Sequence, residues 1–101
     1  MSALTPAQAQ GKLRRALVDA GYQVKPWNRQ GRDGAWYTRL YLRDAEGEEV
    51  GYVSILVGRI RIQVSLDDRE PGAREHAAAM QRVVDEHIEQ HGRPVAGRAA
   101  S

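Results

Sequence analysis

The sequence predicts a two-layer α+β domain, α-β-β-β-β-α, with a four-stranded antiparallel sheet, both helices on one of its faces and the other face open. Three observations predict it. Apolar residues recur at helical spacing only near the two ends of the chain. Between them the chain alternates apolar and polar residues with period two, broken by glycine-containing turns. And 101 residues make one domain, in which two helices cover a single face of a sheet. The domain is expected over residues 1–91, with 92–101, "GRPVAGRAAS", as a small, polar, flexible tail.

The first helix lies in "LTPAQAQGKLRRALVDAG". Thr5 is placed as N-cap, Pro6 as the first helical residue and Gln8 as the return arm of a capping box. Leu4 and Ala9 are spaced for a hydrophobic staple. Leu13, Ala16, Leu17 and Ala20 form the apolar stripe, Lys12, Arg14, Arg15 and Asp19 fall off it, and Gly21 ends the helix. "YQVKPW" is expected as a short strand, with Pro26 confining it to a sheet edge. "NRQGRDGA" is expected as a loop carrying Arg29 and Arg32.

The next strands can be aligned from their own pattern. "WYTRLYLRD" turns through "AEGE" into "EVGYVSILV". Pairing Leu42 with Gly51, Leu40 with Val53 and Thr38 with Ile55 puts the apolar side chains on one face. Tyr41 then meets Tyr52, Arg39 meets Ser54 and Tyr37 meets Leu56 on the reverse face. A slip of one residue would set Arg39 beside Val53, so the face assignment is firm. Gly58-Arg59 is expected as a two-residue hairpin turn. It pairs Ile55 with Ile62 and Val53 with Val64, and sets Arg61 beside Leu56, Gln63 beside Ser54 and Ser65 beside Tyr52. The last helix is expected to start at Asp67 and Asp68, with Pro71 in its first turn. Ala77, Met80, Val84, His87 and Ile88 point inward, and Gly92 ends it.

Composition narrows the function classes. There is no Cys, hence no disulfide and no thiolate metal site, which fits a reducing cytoplasm. No apolar run approaches the ~18 residues of a membrane span, and "MSALTPAQAQ" lacks the features of a signal peptide. Phe is absent, so Trp27, Trp36 and four Tyr carry all the aromatic surface. The formal net charge is +2 but uneven: residues 22–43 carry five cations against one carboxylate, residues 44–91 five against eleven. Thirteen of the fifteen cations are Arg, which a GC-rich coding sequence explains in total; only their placement speaks to function.

That placement is the reverse face. Lys25, Trp27, Tyr37, Arg39, Tyr41, Arg43, Tyr52, Ser54, Leu56, Arg61 and Gln63 share it, four cations with four aromatic rings and no carboxylate. Two readings fit. Tyr, Trp and Arg are the residues enriched at protein interfaces, and Leu56 at the centre suits a protein partner or a second copy of the chain. Alternatively, sheet aromatics stack unpaired bases at about 1–3 kcal/mol each while Arg and Lys hold phosphates, with Arg29 and Arg32 extending the basic track. A third reading needs no ligand, since a Tyr41–Tyr52 pair stabilises a sheet by itself.

Enzymatic chemistry finds no support. Ser54 has no neighbouring His, the acidic pairs Asp67/Asp68 and Asp85/Glu86 suit a helix start and a solvated face, and the glycines match no phosphate-binding or dinucleotide pattern. His87 and His91 are spaced i, i+4, but two ligands are not a metal site. No cofactor and no small-molecule substrate is implied.

The order of elements is similar to that of the double-stranded-RNA-binding domain, and "AREHAAAMQRVV" resembles the Ala-rich second helix of that family, within residues 5–91. The family carries a Lys cluster at the start of that helix. Here the position holds the acidic "DDREPGARE", so its recognition chemistry does not carry over. The expectation is a small, non-enzymatic binding or regulatory domain of the kind that serves as an accessory protein or inhibitor of a larger machine. Its protein partner meets the Tyr/Arg face, and nucleic-acid binding is the alternative.

Overall fold

The computed structural model describes residues 3–34, 36–67 and 69–96. Its elements run α1 (Pro6–Asp19), β1 (Gln23–Gln30), β2 (Trp36–Arg43), β3 (Glu49–Leu56), β4 (Arg59–Val64) and α2 (Ala73–His91). The four strands form one antiparallel sheet in sequence order, so β1 and β4 are its edges. This is the expected α+β class.

Helix α1 starts as its sequence requires. The Thr5 hydroxyl accepts from the Gln8 backbone N–H, and the Gln8 side chain accepts from the Thr5 N–H. Two otherwise orphaned donors are satisfied in this way, and Pro6, with no donor to lose, follows the cap. Ala9, Leu13 and Leu17 are fully buried, while Ala20 is exposed at the C-cap.

Strand β1 is longer than expected. Asn28, Arg29 and Gln30 continue it and pair with Thr38, Tyr37 and Trp36, so Arg29 belongs to a strand and not to a loop. Cross-strand pairing gives these polar residues backbone partners that a loop would have to find in water. Pro26 lies in this edge strand, as its missing N–H demands.

The β2–β3 register is the one the alternation predicts, from Thr38 with Ile55 to Leu42 with Gly51. Beyond Leu42 the ladder shifts, and Arg43 pairs with Glu49. Val50 is therefore the extra residue of a bulge, which lets the consecutive Val50 and Gly51 both be buried.

The β3–β4 register differs from expectation by two residues. Ile55 pairs with Ile60, Val53 with Ile62 and Gly51 with Val64, and Val57-Gly58 form the turn. Gly58 takes the left-handed φ of 78° that this turn needs. Gly51 permits the close approach of β4, because a Cβ there would collide with the Gln63 carbonyl. Alternation has period two, so a two-residue shift leaves every side chain on its face and is invisible to pattern reasoning.

Helix α2 begins at Ala73, later than the expected start at Asp67. The Asp67 carboxylate accepts from the Arg69 N–H and the Asp67 carbonyl from the Glu70 N–H, closing a turn instead of capping the helix. Gly72, with φ 91°, then precedes the first helical residue. The expected role of Asp68 falls outside the described residues.

One core cluster joins Ala9, Leu13 and Leu17 of α1 and Met80 and Val84 of α2 to Leu40, Leu42, Val50, Val53 and Ile55 of the sheet. Ala77 and Ile88 are half-buried, as is the Leu4 side chain that packs against the cluster. The described chain continues against the fold beyond Gly92. Pro94 is buried, its carbonyl accepts from the Gly58 N–H, and the Val95 N–H donates to the Leu4 carbonyl. Residues 97–101 lie outside the description.

Candidate interaction surface

Direct cross-strand partners in an antiparallel sheet project to the same side. Arg29, Trp27 and Lys25 of β1 therefore share a face with Tyr37, Arg39 and Tyr41 of β2, Ser54 and Tyr52 of β3, and Arg61 and Gln63 of β4. None of these side chains is buried: Trp27, Arg39, Tyr41, Tyr52, Ser54 and Leu56 are half-buried, and Lys25, Tyr37, Arg43, Arg61 and Gln63 are exposed.

The structure draws four of them into one cluster. The Arg39 guanidinium carbon lies 4.6 Å from the centroid of the Tyr52 ring and 5.5 Å from that of Trp27. Its Nη1 donates to the Tyr41 hydroxyl at 3.1 Å. Trp27 meets Tyr41 edge-on, centroids 6.1 Å apart, and Tyr41 meets Tyr52 tilted at 5.6 Å. Cation–π contacts are stronger when partly withdrawn from water, as here. The two faces are also tied together. The Gln10 amide of α1, almost fully buried, donates to the Arg39 carbonyl at 2.9 Å and the Trp27 carbonyl at 3.4 Å. Asn28 Nδ2 donates to the Gln10 side-chain Oε1 at 3.3 Å, so the strand pair under the cluster is anchored to the helix.

Two grooves flank the cluster. One is lined by Tyr37, Arg39, Tyr52, Ser54, Leu56 and Arg61. The other lies among Lys25, Trp27, Tyr41, Arg43 and Glu49. Glu49 corrects the expectation of a carboxylate-free face; the bulge brings it opposite Arg43. Arg43 itself turns back and donates to the Gly47 carbonyl at 2.9 Å. Gln63 also turns aside, donating from its amide to the Val64 carbonyl. Arg59, expected in the hairpin turn, instead belongs to β4 and pairs with Leu56. Arg32 is exposed in the turn after β1, and Tyr37, 42% exposed, stands outside the cluster.

Other groupings resolve structurally. The Tyr22 hydroxyl, buried and with its pKa raised by burial, shares a hydrogen bond with His76 Nδ1 at 2.7 Å, joining the start of β1 to α2. The His87 and His91 rings meet tilted at 46°, with centroids 4.9 Å apart. Among the described residues no group of three or more His, Asp or Glu is placed to hold a metal ion. Sequence reasoning missed Trp36, 64% exposed, which lines an apolar groove with Pro6, Ala7 and Val57. Its only signal was an aromatic residue at the start of a strand.

Compared with known proteins, the chain matches no family model, no curated protein and no solved structure. Among the described residues no helix is long and apolar enough to cross a membrane.

Proposed function

We propose that this chain is a small non-enzymatic binding domain of the cytoplasm whose reverse sheet face docks a protein partner, as a regulatory or inhibitory accessory would. The observation that carries the reading is the state of Arg39. It is held between Trp27 and Tyr52 and bonded to Tyr41, so the centre of the face is an ordered aromatic–cation knot. Such pre-organised, half-buried Tyr, Trp and Arg side chains lose little conformational entropy on docking and resemble interface hot spots. Base stacking is less well served. The rings lie at 54° and 83° to one another, leaving no row of parallel platforms, and Glu49 sits beside Arg43 where phosphates would pass.

The test is site-specific photocrosslinking in cells, with the reactive residue at Tyr37 or Leu56 and, as control, at exposed Arg82 on α2. A discrete protein adduct from the two sheet positions only is the expected result; a chain-sized adduct identifies a second copy. Adducts equal at all three positions would refute the reading. Salt-sensitive binding of labelled oligonucleotides, lost in Tyr41→Ala, would replace it with the nucleic-acid alternative.

A further inference from the structure

The two edges of the sheet differ in kind. Edge β1 contains Pro26, flanked by exposed Lys25 and Arg29 on one row, features that discourage another strand from pairing. Edge β4, "RIRIQV", has no Pro, and its ladder with β3 runs without a bulge. Among the described residues, no backbone hydrogen bond from another element reaches the outer side of β4. The nearest is the Gly58 N–H to the Pro94 carbonyl, before the strand begins.

The apolar side of this edge is incompletely covered. Leu40, Val53 and Ile55 of the central strands are at most 1% exposed, whereas Ile60, Ile62 and Val64 remain half-buried. A groove between β4 and α2 is lined by Ile62, Val64, Ala73, Arg74 and Ala77. On the other side of the strand stand Arg59 and Arg61. Arg59, Arg61 and Arg74 are all exposed, and none of them forms an ion pair among the described residues.

We propose that β4 and its groove dock an extended protein segment of alternating apolar and acidic residues, which adds to the sheet as a fifth strand. Backbone hydrogen bonds along an open edge supply affinity, and alternate side chains supply specificity. The apolar side chains of the added strand lie beside Ile62 and Val64. The acidic ones lie beside Arg59 and Arg61, where cross-strand opposite charges attract. A second copy of this chain fits poorly, because antiparallel pairing of two β4 strands would gather the Arg59 and Arg61 side chains of both copies in one row. This edge site shares Arg61 with the reverse-face reading but does not require the Trp27–Arg39–Tyr52 cluster to be occupied.

The test uses the full chain, isotopically labelled, and a capped peptide of about ten residues alternating Val and Glu, long enough to span the strand. A scrambled peptide and a Val/Lys peptide are controls. Amide shifts and slowed amide exchange confined to residues 59–64 and the groove are expected, with a Kd weakened roughly tenfold or more in the Arg59→Glu/Arg61→Glu variant. That variant should keep the urea midpoint of the parent, since both side chains are exposed. Perturbation centred on β1 or on the Trp27–Arg39–Tyr52 cluster would overturn the proposal. So would equal binding of the scrambled or Val/Lys peptide, or no response in β4 at millimolar peptide. A concentration-dependent mass abolished by the same double substitution would assign the edge to a second copy instead.

Discussion

Leu40 and Tyr41 are neighbours on β2, yet they belong to two different kinds of surface. Leu40 is fully buried under the helices' apolar stripes, while Tyr41 is half-exposed in a ring of aromatics around one guanidinium. The core face is held by the removal of apolar area from water, which is non-directional and large. The reverse face is held by directional contacts between groups that water still reaches, each of them small. The same backbone thus carries a stabilising side and a presenting side.

Substitutions that strike each face separately sharpen this contrast. The largest effect is expected for Leu40→Ala, which leaves a cavity at the centre of the core and should cost about 2–5 kcal/mol in urea unfolding. Removing the link between the faces comes next. Gln10→Ala strips the Arg39 and Trp27 carbonyls of a buried donor and should cost about 1–3 kcal/mol by the same measurement. On the reverse face, Arg39→Met keeps the side-chain stem but deletes the charge between the rings. Its expected cost is about 0.5–1 kcal/mol, with a change in Trp fluorescence reporting the altered environment of Trp27. A cost as large as that of Leu40→Ala would erase the distinction between a stabilising and a presenting face.

The smallest effect concerns acid. Burial, the charge of His91 and the charge of Lys12, in that order, hold His87 below the ordinary imidazole pKa, and its Nε2 has no hydrogen-bond partner among the described residues. The folded state therefore favours the neutral ring and the unfolded state binds the proton more readily. Stability should be fully present above the unfolded value of about 6.5 and decline as pH falls from there towards the lowered folded pKa. Urea midpoints at neutral pH and near pH 5 should differ in the parent, and the difference should shrink in His87→Leu.

Period-two alternation was enough to sort β2 and β3 into a core row and a presenting row, and to set their register. One-residue slips would bury Arg39, so the apolar pattern rejects them. Local chemistry was likewise enough for the start of α1, where Thr5, Pro6 and Gln8 satisfy one another within a single turn. Most of the composition of the candidate surface follows from the alternation, since the residues assigned to it, apart from Arg29 and Arg32, were placed on strands whose faces were legible. Its geometry does not follow. Nothing in "WYTRLYLRD" states that Arg39 would fold between Trp27 and Tyr52, because those rings arrive from two other strands.

What the sequence determined by itself is the order of the elements, the face each strand turns inward and the capped start of the first helix. These rest on interactions between residues close in the chain or on a pattern repeated along it. Tertiary structure alone decided the two-residue shift of β4, the bulge at Val50 and the docking of Pro94. Each depends on a contact between distant segments. Gly51 must be read against the Gln63 carbonyl and Gly58 against Pro94, and no local periodicity carries that information.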